Sequence, residues 1–152
     1  MQNLNIEIFL EILDEFISAK LEFSAVREFV FQFYDDEQEF IVDEKTEILI
    51  TVLTPYLEHE ESWGDTERYD RMKRIRTVLQ SDSNLTERLI FALRFSEIKI
   101  LTNKLKNGII TKHVYCEQIG KLSPIEYDVQ IVCKWAACHM NENFDSHPAS
   151  RY

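Results

Sequence analysis

The sequence predicts an all-α protein, an antiparallel helical bundle of about seven helices. Only three glycines and three prolines occur among the 152 residues, against roughly ten and seven at average usage. The turn residues that an all-β fold requires are therefore missing. Apolar residues instead recur every three or four positions, which is the pattern of amphipathic helices. A hydrophobic content of 45 % is enough to form a substantial core.

Four helices are predicted in the first half of the chain. The first covers residues 5 to about 19, and the second begins at a Ser24 cap and ends in the acidic run 35–39. Asp43 begins the third, which contains Pro55 late in its length, and Asp65 or Thr66 caps the fourth. The basic residues of this fourth helix should neutralise part of the surrounding acid from within: Arg68, Arg71, Lys73, Arg74 and Arg76.

Three further helices are predicted in the second half. Residues 84–87 read N-L-T-E, the spacing of a capping box, and should open one long fifth helix that ends at Asn107 and Gly108. A short sixth helix covers residues 111 to about 121. Residues 123–126 read S-P-I-E, with serine at the N-cap and proline at the first helical position, and should open the seventh helix.

These elements suggest two helical modules and a tail. Residues 1–81 form an acidic four-helix module, residues 82–140 form a three-helix module packed on it, and residues 141–152 form a polar, frayed tail. The alternative is one continuous domain, because 152 residues can also share a single core.

Charge is distributed unevenly between the two halves. Residues 1–67 hold 18 of the 27 acidic residues and only three basic ones, Lys20, Arg27 and Lys45. The rest of the chain has 14 basic and nine acidic residues, a net charge of +5. A strongly anionic region attracts basic partners and repels nucleic acid and lipid phosphate. We therefore expect a protein partner, and neither nucleic acid nor a membrane.

The motifs of common enzyme classes are absent from the sequence. No GxxxxGK[ST], GxGxxG, GxSxG or HExxH pattern occurs. Three cysteines, Cys116, Cys133 and Cys138, are odd in number and lie among apolar residues, which favours reduced, buried thiols over disulfides or a zinc site. We expect no enzymatic activity, no cofactor and no metal.

The start of the chain favours a cytoplasmic protein. It has no basic n-region, and no stretch approaches the roughly 20 apolar residues of a membrane span. The sixth and seventh helices, joined by a tight turn, have the order of a helix-turn-helix. However, the seventh helix carries apolar residues where a reading helix needs Arg, Asn or Gln, so DNA binding is disfavoured.

Acidic residues collect at two helix ends, with aromatic residues among them. Interfaces with basic partners use aromatic anchors for affinity and charge for fast, specific association. The candidate partner-binding residues are Asp35, Asp36, Glu37, Glu39, Phe40, Asp43, Tyr56, Glu58, Glu60, Glu61, Trp63 and Asp65. The competing interpretation is a solvated surface that only keeps the protein soluble.

The first half of the chain resembles the immunity proteins of the colicin D type. The resemblance lies in residues 16–23, in residues 29–34 with the acidic loop after them, and in the helix from Glu67 to Leu79, and it covers about residues 4 to 81. Related helical immunity proteins occur in contact-dependent inhibition systems of bacteria.

This resemblance implies a bacterial immunity protein, in which a four-helix bundle covers the basic active site of a cognate nuclease toxin, often one that cleaves tRNA. The implied toxin-binding positions are Asp35, Asp36, Glu37, Glu39, Glu58, Glu60 and Glu61. The three later helices have no counterpart in that family, so the module that carries the binding surface stays open. A non-enzymatic adaptor, scaffold or regulatory protein-interaction module is the alternative function.

Overall fold

A computed structural model describes residues 2–35, 37 and 39–139, and in this part of the chain nearly all regular structure is helical. This confirms the all-α class. The helices are α1 (Ile6–Ile17), α2 (Phe23–Gln32), α3 (Glu44–Leu57), α4 (Asp65–Val78), α5 (Leu85–Leu93), α6 (Phe95–Lys106), α7 (Lys112–Ile119) and α8 (Val129–His139). Two short strands, β1 (Gln2–Leu4) and β2 (Phe40–Val42), and a 3₁₀ turn, Glu60–Ser62, complete the described elements.

Contacts between residues divide the chain into two units. Unit 1 is Met1–Arg76 and unit 2 is Thr77–Tyr152, so the division falls within the last turn of α4. The predicted boundary lies a few residues later, at residues 81 and 82. The tail predicted for residues 141–152 lies outside the described residues, and so does Met140.

Unit 1 contains α1, α2, α3, most of α4 and a small parallel sheet. Helix α2 packs against α1 and α3, and buried side chains such as Phe9, Phe29 and Leu53 form the core. The sequence did not predict strands β1 and β2, which pair in parallel with Leu4 opposite Val42. A single residue separates β1 from α1 and β2 from α3. Because the two strands are paired in parallel, the two helices begin side by side.

Both helix starts are capped by a side chain, and the start of α3 at Asp43 is the one that was predicted. The Asn5 side chain accepts a hydrogen bond from the Ile8 amide at 3.1 Å. The Asp43 side chain accepts from the Thr46 amide at 3.3 Å and from the Thr46 hydroxyl, and Thr46 is fully buried. Ser24, in contrast, lies inside α2, which begins one residue earlier without a side-chain cap.

Unit 2 contains one helix more than predicted. The expected long fifth helix is interrupted at Arg94, whose backbone (φ −110°, ψ 22°) ends α5 and begins α6. The Arg94 Nε donates to the carbonyl of Leu122 at 3.0 Å, a contact from a distant part of the chain. The described chain therefore has eight α-helices where we predicted about seven. Helix α5 packs on α6 and α8, and α7 packs on the same two helices.

Both predicted capping boxes of unit 2 are wrong. Asn84 adopts a left-handed conformation, φ 50°, and its side chain makes no cap bond. The Glu87 carboxylate instead accepts from the distant Asp128 amide at 3.0 Å. Residues 123–126 are not helical, and α8 begins at Val129, where Asp128 accepts from the Gln130 amide.

A buried tyrosine joins α6 to α7 in unit 2. The Tyr115 hydroxyl lies 2.9 Å from the Thr102 hydroxyl, and both residues are buried. Burial raises the pKa of Tyr115 above its ordinary 10.0, and the hydrogen bond to Thr102 offsets part of this rise. A phenol in such a site holds its proton more tightly in the folded state than in the unfolded state.

Replacing Asp43 with alanine should lower the free energy of unfolding by about 1 kcal/mol, because the substitution removes the α3 cap. Asp43→Asn is the matched control, since asparagine is an equally good N-cap residue and retains the acceptor oxygen. Urea denaturation of both variants measures the difference. Equal losses in the two variants would show that the charge of Asp43, and not its cap, stabilises α3.

Tyr115 should make the protein less stable at high pH. The stabilisation of the folded state that comes from the raised pKa of Tyr115 is complete below the unfolded-state pKa of about 10. It is lost as the pH rises through the higher folded-state pKa. Between about pH 9 and pH 11 the free energy of unfolding of the wild type should fall more steeply than that of Tyr115→Phe. A Tyr115→Phe slope equal to that of the wild type contradicts the assignment.

Candidate functional site

The first acidic segment, residues 35–39, lies between α2 and β2 and faces solvent. Asp35, Glu37 and Glu39 are exposed, and the Asp35 carboxylate accepts a hydrogen bond from the Glu37 amide at 3.0 Å, which fixes a tight turn. Asp36 lies outside the described residues. Phe40 is half-buried at the start of β2, and Ile41 after it is 58 % exposed.

The second acidic segment, residues 58–65, follows α3. Glu58 and Glu61 are exposed, as are Asp65 and the α3 cap residue Asp43. The Tyr34 hydroxyl lies 3.1 Å from the Thr54 hydroxyl, so the residue before Asp35 contacts α3 four residues, about one turn, before Glu58. The two exposed groups are thus neighbours along one side of α3.

Glu60 lies inside unit 1, contrary to the prediction that it belongs to the exposed surface. Only 7 % of the residue is accessible. Its carboxylate is 2.7 Å from Arg68 Nη2 and 3.4 Å from Arg27 Nη1. Arg68 reaches it from α4 and Arg27 from α2. Since a buried carboxylate requires opposite charge close by, Glu60 is part of the packing of three elements and is withdrawn from the candidate surface.

The two aromatic residues expected among the surface acids are also buried. Tyr56 is 6 % accessible and Trp63 is 9 % accessible. The Trp63 ring lies 6.0 Å from that of Phe23, and the Arg71 guanidinium stands 4.3 Å above its centre. Tyr56 and Trp63 are therefore core residues, and the sequence placed them wrongly because nearby charge is a poor guide to burial.

The basic residues of α4 are engaged inside unit 1, as the sequence predicts. Arg71 pairs with Glu67 at 2.5 Å, Arg76 with Asp14 at 2.8 Å, and Arg68 with Glu60. Unit 1 as a whole has 19 acidic and eight basic residues, a net charge of −11. Within the described residues, Glu37, Glu39, Glu58 and Glu61 are exposed and have no ion pair. Uncompensated charge therefore lies on the surface formed by the two acidic segments, and also at other exposed acids of unit 1 such as Glu7, Glu11 and Glu15 on α1.

This acidic surface, which we define as Asp35, Glu37, Glu39, Asp43, Glu58, Glu61 and Asp65, is the candidate functional site. Tyr34, half of which is exposed, and Ile41 provide large apolar side chains at its edge. The sequence analysis missed these two residues, although Ile41 stands in a three-residue apolar run directly after the acids. Exposed apolar groups beside charge are typical of interaction sites.

Comparisons with protein-family models, with curated proteins and with solved structures find no match for the chain. None of the described helices is both long and apolar enough to cross a membrane. Over residues 2–35, 37 and 39–139, no group of three or more His, Cys, Asp or Glu side chains is arranged to hold a metal ion.

Substituting Glu60 and Glu61 one at a time should distinguish a buried, structural glutamate from an exposed one by their effects on the free energy of unfolding. Glu60→Gln leaves two arginines facing a neutral amide and should lower the free energy of unfolding by about 1–3 kcal/mol. Glu61→Gln, at an exposed position, should change it by less than about 0.5 kcal/mol. Thermal and urea unfolding measure both variants, and a Glu60→Gln protein as stable as Glu61→Gln would contradict the structural role of Glu60.

Proposed function

We propose that this protein is an immunity protein, a non-enzymatic inhibitor that binds a basic bacterial nuclease toxin domain through the acidic surface of unit 1. One observation carries the proposal: arginines of unit 1 pair with acids of the same unit, Asp65 among them, while the exposed Glu37, Glu39, Glu58 and Glu61 of the two acidic segments have no ion pair within the described residues. Unpaired carboxylates that lie close together in two short segments present a strong negative field to a partner.

The chemistry of the surface suits a nuclease. Active sites that bind nucleic acid present Lys and Arg to phosphates, and a row of carboxylates can occupy those positions in place of the substrate. Long-range attraction would accelerate association, and this acceleration would weaken as salt is added. Tyr34 and Ile41 would supply the apolar contacts that slow dissociation. The tRNase class of the toxin is what the resemblance to colicin D immunity proteins implies, and a cytoplasmic site of action is part of the proposal.

We expect a large secreted protein with a basic C-terminal toxin domain to be encoded next to this gene, and that domain is the toxin to test. Co-expression of the present chain should restore growth of cells that produce that domain and should prevent degradation of their tRNA. Failure to protect cells from such a neighbouring toxin would overturn the immunity assignment. Binding without protection would instead favour an adaptor.

The surface itself is tested by neutralising the first acidic segment. The triple variant Asp35→Asn, Glu37→Gln, Glu39→Gln should slow association with the toxin domain about tenfold at low salt and have a much smaller effect at high salt. The reason is that steering acts through charge and is screened. Stopped-flow fluorescence measures the association rate constant.

The matched control removes the same charge from another part of unit 1. Glu7, Glu11 and Glu15 are exposed on α1, and their replacement with glutamine should slow association much less. Equal effects of the two triple variants would mean that only the total charge matters, and the acidic surface would then not be the binding site.

A further inference from the structure

Unit 2 contains a cavity between α6, α7 and α8. Its volume is about 380 Å³, and Leu105, Tyr115 and Ala137 form apolar parts of its wall. Two of the three cysteines, Cys116 on α7 and Cys133 on α8, also line it. These residues belong to unit 2, whereas the acidic surface belongs to unit 1.

The two cysteine sulfurs are in contact. Cys116 Sγ and Cys133 Sγ lie 4.0 Å apart, both residues are reduced, and both are half-buried. A disulfide bond is about 2.05 Å long, so a modest rotation of the two side chains and a small shift of the helices would join the sulfurs. Cys138, on the exposed side of α8, provides a third thiol for comparison.

The charged residues that line the cavity are all lysines. Lys106, Lys112 and Lys134 contribute from α6, α7 and α8, and no carboxylate lines this cavity. All three lysines are exposed, so they can meet a ligand at the cavity mouth. A concave site of one charge sign raises the local concentration of ligands of the opposite sign. The cavity thus favours a small anion that reaches the thiols.

We propose that this cavity is a redox modification site, at which a small anionic disulfide of the oxidised-glutathione class converts Cys116 and Cys133 into an intramolecular disulfide. The Cys116 thiolate attacks one sulfur of the small disulfide, the S–S bond breaks, and one small thiolate leaves. Cys133 then loses its proton to solvent and attacks Cys116 Sγ, and the second small thiolate leaves. The two protein thiols are oxidised, and one small disulfide is reduced to two thiols.

The order of attack follows from the surroundings of Cys133. Burial, together with the neighbouring Cys116 sulfur, raises the pKa of Cys133 to about 12, so Cys133 is protonated at neutral pH and does not attack first. Once Cys116 is in a mixed disulfide it carries no charge, so its part in raising the pKa of Cys133 is removed. Lys112 already acts in the opposite direction and favours the Cys133 thiolate.

The test uses the Cys138→Ser protein, in which only the cavity thiols remain, with oxidised glutathione as the probe. The folded chain should lose both thiols, become lighter by two hydrogen atoms and retain no glutathione. Mass spectrometry and thiol titration in denaturant measure this. A chain that keeps both thiols in excess oxidised glutathione, while its circular dichroism is native, overturns the proposal.

Two single-cysteine proteins test the order of attack. With Cys133→Ser added, Cys116 should accumulate a stable mixed disulfide with glutathione. With Cys116→Ser added instead, Cys133 should react at least tenfold more slowly. Equal rates of modification would contradict the assigned roles of the two cysteines.

The lysines are tested by comparing an anionic disulfide with a neutral one. In the double variant Lys106→Gln, Lys134→Gln, oxidation by oxidised glutathione should slow about tenfold, while oxidation by neutral hydroxyethyl disulfide should keep its rate. Lys99→Gln with Lys104→Gln, two exposed positions on α6 outside the cavity lining, should change neither rate. Equal slowing of both reagents would show that the lysines do not recruit the anion.

Discussion

The buried carboxylate of Glu60 is the constraint around which unit 1 is organised. Removing a carboxylate from water is costly unless cations and hydrogen-bond donors surround it, and here two guanidiniums do so, Arg27 from α2 and Arg68 from α4. The 3₁₀ turn that carries Glu60 is thereby fixed to both helices. The same arginines lie against aromatic rings, Arg27 over Phe31 and Arg68 over Phe23, so charge pairing and apolar packing position the same side chains. The basic composition of α4 therefore serves the interior of unit 1.

The features that the sequence predicted correctly are those that local chemistry determines. The apolar period of α1 and the start of α3 at Asp43 depend on residues within a few positions of each other. The internal role of the basic residues on α4 was also predictable, because an amphipathic helix with arginines beside its apolar stripe brings them close to nearby acids. For the candidate site, this local reasoning located the exposed acids Asp35, Glu37, Glu39, Glu58 and Glu61 correctly on the surface.

The features that the sequence did not reveal depend on distant residues. The β1–β2 pair joins positions almost 40 residues apart, and the division of the long helix at Arg94 accompanies its bond to Leu122. The Glu87 carboxylate accepts a hydrogen bond from the Asp128 amide and does not cap the start of its own helix, α5. Trp63 stands beside glutamates in the sequence and yet packs on Phe23. The Cys116–Cys133 contact likewise exists only because α7 and α8 pack together. Periodicity and cap patterns carry no information on such pairings.

The position of each acid on its helix separates those that help folding from those that do not. Glu44 and Glu47 lie in the first turn of α3, where the positive end of the helix dipole favours a carboxylate. Asp35, Glu37 and Glu39 follow the end of α2, and Glu58 is the C-cap residue directly after α3; neither helix has a basic residue in its last turn. Carboxylates at these ends oppose the dipole and repel one another. Apart from the turn that Asp35 fixes, the negative charge of these four acids opposes folding, and the basic partner proposed above would make that charge favourable.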